Sequence, residues 1–219
     1  MSEALFSQLL ATCTGLLLVT AVLQVWRYSL SASIRVLAVQ GAALAALVAV
    51  LGIEHGDVEV LVVAALVLAM KAVAIPWALS RTAAATGAVR EQAPLVNPTA
   101  ALLAATALTV LAYVVGLPIV AVLHGPAAKA VPVGLALVLI GFLVLLTRRS
   151  ALAQLIGFVV LDNGIATTAF LTSGGVPLVV ELGVTLDVLL VVLILRVLTS
   201  RLQSAHGGID LDELTELRD

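Results

Sequence analysis

Seven stretches of about twenty residues, at 4–25, 33–53, 58–79, 98–116, 127–147, 150–172 and 176–198, run through this 219-residue chain with almost no charge and with short polar breaks between them. No other feature narrows the fold as much. A helix rises 1.5 Å per residue, so about 20 apolar residues match a bilayer core roughly 30 Å thick. Each stretch is therefore expected to cross a membrane as a helix. With 62% hydrophobic and 11% charged residues and a mean hydropathy of +1.22, the chain is too apolar for an ordinary soluble domain. A β-barrel would need segments of about ten residues alternating in polarity, whereas "ALVLAMKAVAI" and "VPVGLALVLIGFLVLL" are continuously apolar. The expected fold class is all-α, a polytopic membrane protein of about seven transmembrane helices.

Glu3 and the absence of Lys or Arg ahead of the first apolar run speak against a cleaved signal peptide, so that run is read as a retained first helix. Its Cys13 is the single cysteine, with no partner for a disulfide and no metal-site spacing, and reads as a small apolar filler. Arg27 and Arg35 bracket the first connection, Arg81 and Arg90 the third, and Arg148 and Arg149 the fifth, while Arg196, Arg201 and Arg218 belong to the C-terminal end. The other side has Lys129 alone, beside the acidic "IEHGDVE" (53–59) and the uncharged "SGG" (173–175). By the positive-inside rule the N-terminus is outside and the C-terminus cytoplasmic, which requires an odd number of spans. The expected location is the cell (inner) membrane.

Little room is left for chemistry outside the bilayer. The connection "RTAAATGAVREQAPLVN" (81–97) and the tail after Arg201 are the only polar segments of any length, and no internal repeat supports an inverted-repeat transporter. There is no Gly-rich phosphate loop and no Cys/His cluster, and His55, His124 and His206 sit at membrane edges or in the tail, where no catalytic set assembles around them. No catalytic residue, metal, cofactor or nucleic-acid partner is expected, and the chain is not an enzyme on its own.

Four charged side chains fall well inside the expected spans, away from their ends: Lys71, Asp162, Glu181 and Asp187. Each costs at least about 2.5 kcal/mol near the bilayer centre if it faces lipid, and the acids are too short to snorkel, so they are expected to face the protein interior. Counting from the "SGG" turn, Asp162 and Asp187 both lie about 15 Å down, level across one hairpin, with Glu181 about 9 Å nearer the outside. Lys71 lies about 20 Å from the outer end of its helix. Such a staggered set suits a proton relay; alternatively Lys71 pairs with one acid and the others are inert interhelical hydrogen-bonding groups. Pro76 either opens the helix beside Lys71 or is a tolerated membrane-helix proline. Asn163 can hydrogen-bond across helices, Gly164 weakens its helix or permits close contact, and the small residues of "GAALAALVAVLG" (41–52) suggest a packing face.

In the tail, "IDLDELTELRD" (209–219) has Asp210 and Glu213 in capping-box spacing, followed by Leu211, Leu214 and Leu217 at three-residue intervals. This edge either docks a short helix on a partner or belongs to a solvated tail.

The segment "AQLIGFVVLDNGIATTAFLTSGGVPLVVELGVTLDVLLVVLILRVL", followed by "GGIDLDELTELRD", resembles hydrogenase-4 component E, a membrane subunit of formate hydrogenlyase-type complexes. The last three helices of that family are similar to the K-type subunit of respiratory complex I and the C-type subunit of multisubunit cation/proton antiporters. The resemblance is strongest over 127–219. Where the family has a glutamate before Asn-Gly, this chain has Asp162; the K-type glutamate aligns one turn earlier, at Val159. Glu181 and Asp187 match the family's acids in the next helix. The resemblance implies a four-helix region (1–126), a K-subunit-like three-helix region (127–201) and a cytoplasmic tail (202–219). It also implies a membrane-arm subunit of an energy-converting complex, without a redox centre of its own. Its partners would be antiporter-like proton-pumping subunits, a membrane anchor subunit, and cytoplasmic redox subunits carrying iron-sulfur clusters and a Ni-Fe centre. Asp162, Glu181, Asp187 and Lys71 would then form a proton path. A subunit of a cation/proton antiporter, a stand-alone secondary transporter and a structural scaffold are the competing readings.

Overall fold

A computed structural model describes residues 1–26, 29–85, 96–123 and 125–173. They form α1 (Glu3–Trp26), α2 (Leu30–His55), α3 (Val58–Val67), a π-helical segment (Leu68–Ala74), α4 (Ile75–Ala85), α5 (Pro98–Val122), α6 (Pro126–Thr147) and α7 (Ala151–Ser173). Since α3, the π segment and α4 are continuous, the described residues contain six helices long and apolar enough to cross a membrane. They coincide with the first six expected stretches, and among the described residues there is no strand. The stretch at 176–198 lies outside the described residues.

The breaks between helices follow local chemistry. Gly56 closes α2 in the left-handed region at φ 65°, where a side chain would strain the backbone, and its N–H bonds back to the last turn. Asp57 then caps α3, its carboxylate accepting from the backbone N–H of Glu59 at 2.9 Å and of Val60 at 3.4 Å. Asn97 caps α5 in the same way, accepting from Thr99 N–H at 3.0 Å, with Pro98 in the first helical position. Two boundaries differ most from expectation. The third expected stretch continues as helix through α4 to Ala85 instead of stopping at 79. α5 runs to Val122, through Gly116 and Pro118, instead of stopping at 116. A proline is tolerated inside a long apolar helix where neighbouring groups and local adjustments re-satisfy the freed backbone.

α2 is the centre of the bundle. Leu37, Leu44, Leu47, Val48 and Leu51 are buried along it, and α1, α3, the π segment, α4 and α7 all pack against it. α5 is peripheral: 17% of its most apolar window is buried, against 61% for α2 and for α7. α6 lies against α1, α5 and α7, so the described parts of the regions before and after residue 126 share one core.

The α6–α7 contact is built on glycine. Gly134 and Gly141 on α6 face Thr168 and Leu161, while Gly157 and Gly164 on α7 face Leu145 and Val138. A Cβ on Gly164 would sit 2.5 Å from the Val138 nitrogen, and one on Gly157 2.6 Å from the Leu145 nitrogen. The two pairs repeat at seven-residue spacing, two turns apart, so the helices stay close over most of their length. Of the two expected roles for Gly164, close helix contact is the one observed.

Candidate functional site

The site begins with a helix irregularity. At Leu68–Ala74 the hydrogen bonding widens to π register, ending with the Ile75 N–H reaching the Met70 carbonyl just ahead of Pro76. Four α-helical steps of about 100° overshoot a turn by about 40°, whereas a π turn takes up more residues and nearly closes on itself. Val67, Lys71 and Ile75, four residues apart, therefore stay on one buried line. The lysine consequently points into the protein.

α2 admits it at Gly41. A Cβ there would lie 2.5 Å from both the carbonyl carbon and oxygen of Lys71, so only glycine allows this approach. Past that notch the lysine stem reaches α7, where Nζ forms an ion pair with Asp162 Oδ2 and donates to Asn163 Oδ1 at 3.0 Å. Lys71 and Asp162 are 3% and 5% exposed, and Asn163 is fully buried. Depths of about 20 and 15 Å, counted along the two helices, leave a gap that the lysine side chain bridges. Lys71 and Asp162 are thus brought together as an ion pair.

The polar contacts continue across the bundle. Asn163 Nδ2 donates to Gln40 Oε1 at 3.1 Å, and Gln40 Nε2 donates to the Leu17 carbonyl of α1 at 3.4 Å. The same carbonyl accepts from the Thr20 hydroxyl at 2.8 Å, and Thr167 donates to the Asn163 carbonyl at 2.7 Å. Gln40, fully buried in mid-span, has no charge and so escapes a search for ionisable groups. A lone amide in an otherwise apolar span was the available signal.

Arg148 is a second buried cation. It follows α6 and donates through Nη2 to the carbonyls of Gln24 at 2.7 Å and Val25 at 3.1 Å, where the end of α1 carries partial negative charge. An arginine of the fifth connection thereby anchors the first helix. His55 bonds through Nδ1 to the Leu51 carbonyl at 2.8 Å. Among the described residues no three His, Cys, Asp or Glu side chains gather as metal ligands. Glu181 and Asp187, and Leu211, Leu214 and Leu217 of the tail, lie outside the described residues.

An ion pair inside membrane-length helices is not a default feature. Both ions lose hydration, and their attraction offsets the loss only with good geometry and further hydrogen bonds, which Asn163 supplies to the cation.

Compared with known proteins, the chain is 47% identical, over 220 residues covering all of both chains, to the uncharacterized protein Rv0085 of Mycobacterium tuberculosis. It is 30% identical over 118 residues, 54% of each chain, to hydrogenase-4 component E of Escherichia coli K12 and likewise of Shigella flexneri. No family model matches, and no solved structure matches.

Proposed function

The chain belongs to the family of the mycobacterial protein Rv0085, and from that premise we propose that it is a multi-pass membrane subunit of a hydrogenase-4-like, complex-I-related energy-converting complex, in which its buried charges take part in proton translocation. The observation that carries this reading is the Lys71–Asp162 pair with Asn163 beside it. The likeness of about half the chain to hydrogenase-4 component E supports the setting.

Transfer of one proton from the Lys71 ammonium to the touching Asp162 carboxylate leaves a neutral amine and a neutral acid. A charge moving elsewhere in the assembly tips the pair between these forms, and Asp162 loads and releases a proton. Asp187, level with Asp162, widens the path within the bundle and Glu181 extends it toward the outer face, and the tail docks on a cytoplasmic partner through Leu211, Leu214 and Leu217. Redox chemistry, with its iron-sulfur and Ni-Fe centres, belongs to partner subunits.

Purification from the native membrane in gentle detergent tests the setting. Antiporter-like membrane subunits and cytoplasmic redox subunits should copurify in fixed stoichiometry. Recovery of the chain alone, active in transport after reconstitution, would overturn the proposal in favour of a stand-alone transporter.

A further inference from the structure

Between Lys71 and α1 lie two amides, and an amide has two ends of nearly equal shape and opposite chemistry: an acceptor oxygen and a donor NH2. The ends of the chain have no such freedom. A lysine ammonium can only donate, and the Leu17 backbone carbonyl can only accept. Starting from α1, that carbonyl requires the NH2 of Gln40. The Gln40 oxygen must then face Asn163 and take its NH2, which leaves the Asn163 oxygen facing Lys71. Starting from Lys71 gives the same answer, so one orientation of both amides satisfies every contact and the reverse places NH2 against ammonium. All of these side chains are buried, so no bulk water offers a substitute partner.

We propose that Gln40 is a positioning residue for the Lys71–Asp162 pair: it touches neither charge, but fixes the Asn163 amide with its oxygen toward Lys71, using an α1 carbonyl as the reference. The acceptor for the cation is therefore oriented in advance, and a shift of α1 against α2 is transmitted to the lysine. The proposal rests on the pair being the working unit of the site, but its test needs no translocation.

Lys71 and Lys129 are the only lysines of the chain, so the purified full-length protein labelled with 15N at lysine Nζ has one reporter inside the site and one outside it. Gln40→Met keeps the length of the side chain and removes both polar ends. In folded, monodisperse protein it should shift the Lys71 Nζ resonance and leave that of Lys129 in place. Asn163→Leu should shift the Lys71 line as well, and the double variant should shift it no further, because Gln40 acts through Asn163. If Gln40→Met fails to fold, Gln40→Leu gives the same comparison. An unmoved Lys71 resonance, or a double-variant shift equal to the sum of the single ones, would overturn the assignment while leaving the proton-translocation reading standing. Loss of translocation on Asp162 substitution, or its absence, bears only on that second reading.

Discussion

Removing Asp162 alone and removing it together with Lys71 are different operations on the same site. Asp162→Ala takes the touching carboxylate away from a buried ammonium, and breaking a buried pair from one side costs about 3–5 kcal/mol. Replacing both ions by apolar groups of similar volume, as in Lys71→Met with Asp162→Leu, removes the desolvation cost together with the attraction and is often neutral or better. Unfolding in detergent should therefore rank the single variant well below wild type and the double variant near it. Equal losses for single and double variants would mean that the pair is not held by mutual compensation. Arg148→Ala, which removes the donors to Gln24 and Val25, should lower stability by about 1.5–3 kcal/mol without altering the Lys71 site.

At the scale of elements, the placement of Lys71 depends on how closely the π segment approaches α2. Gly41→Ala would place a Cβ 2.5 Å from the Lys71 backbone, and such overpacking costs about 1–3 kcal/mol; the pair should be weakened with it. Gly15→Ala on α1 is the matched control, since a Cβ there meets nothing within 4 Å. It should be neutral or stabilising by up to about 1 kcal/mol through helix propensity alone. The thermal unfolding temperature should therefore fall for Gly41→Ala and not for Gly15→Ala, and the absence of a loss for Gly41→Ala would argue against a tight contact at Gly41. The helices themselves were legible in the sequence, because hydropathy summed over twenty residues overwhelms local detail, and Lys71, Asp162 and Asn163 stood out as polar groups in apolar runs. Their pairing was less legible. Depth along a helix can be counted, but which helices are neighbours depends on notches such as Gly41 and on the α6–α7 glycines, whose role appears only once the helices are packed. Gln40 is harder to find because it is uncharged and, unlike Asn163, adjoins no ionisable residue; Pro76 points to an irregularity beside Lys71, but nothing in the apolar pattern of "LAMKAVA" specifies a π register.

Over the whole molecule, α2 is the common support. It packs against α1, the π segment and α7, and its adjacent Gln40 and Gly41 orient the Asn163 amide and admit the lysine. A polar line thus crosses from α7 through α2 to α1 inside an otherwise apolar bundle, while α5 presents Leu103, Val110, Val114 and Leu117 outward as a face suited to lipid or to neighbouring membrane subunits. In the proposed function the bundle holds the Lys71–Asp162 pair in its interior for an assembly whose redox chemistry lies elsewhere. Asp162→Asn tests that most directly, because it keeps the size of the side chain and one acceptor oxygen for Lys71 and removes the group that can carry a proton. Proton uptake should be measured in vesicles containing the intact complex, at matched levels of assembly. Assembly should be retained with proton translocation reduced by tenfold or more, about 1.4 kcal/mol or greater in the controlling step; unchanged translocation by a fully assembled Asp162→Asn complex would contradict a proton-carrying role for Asp162.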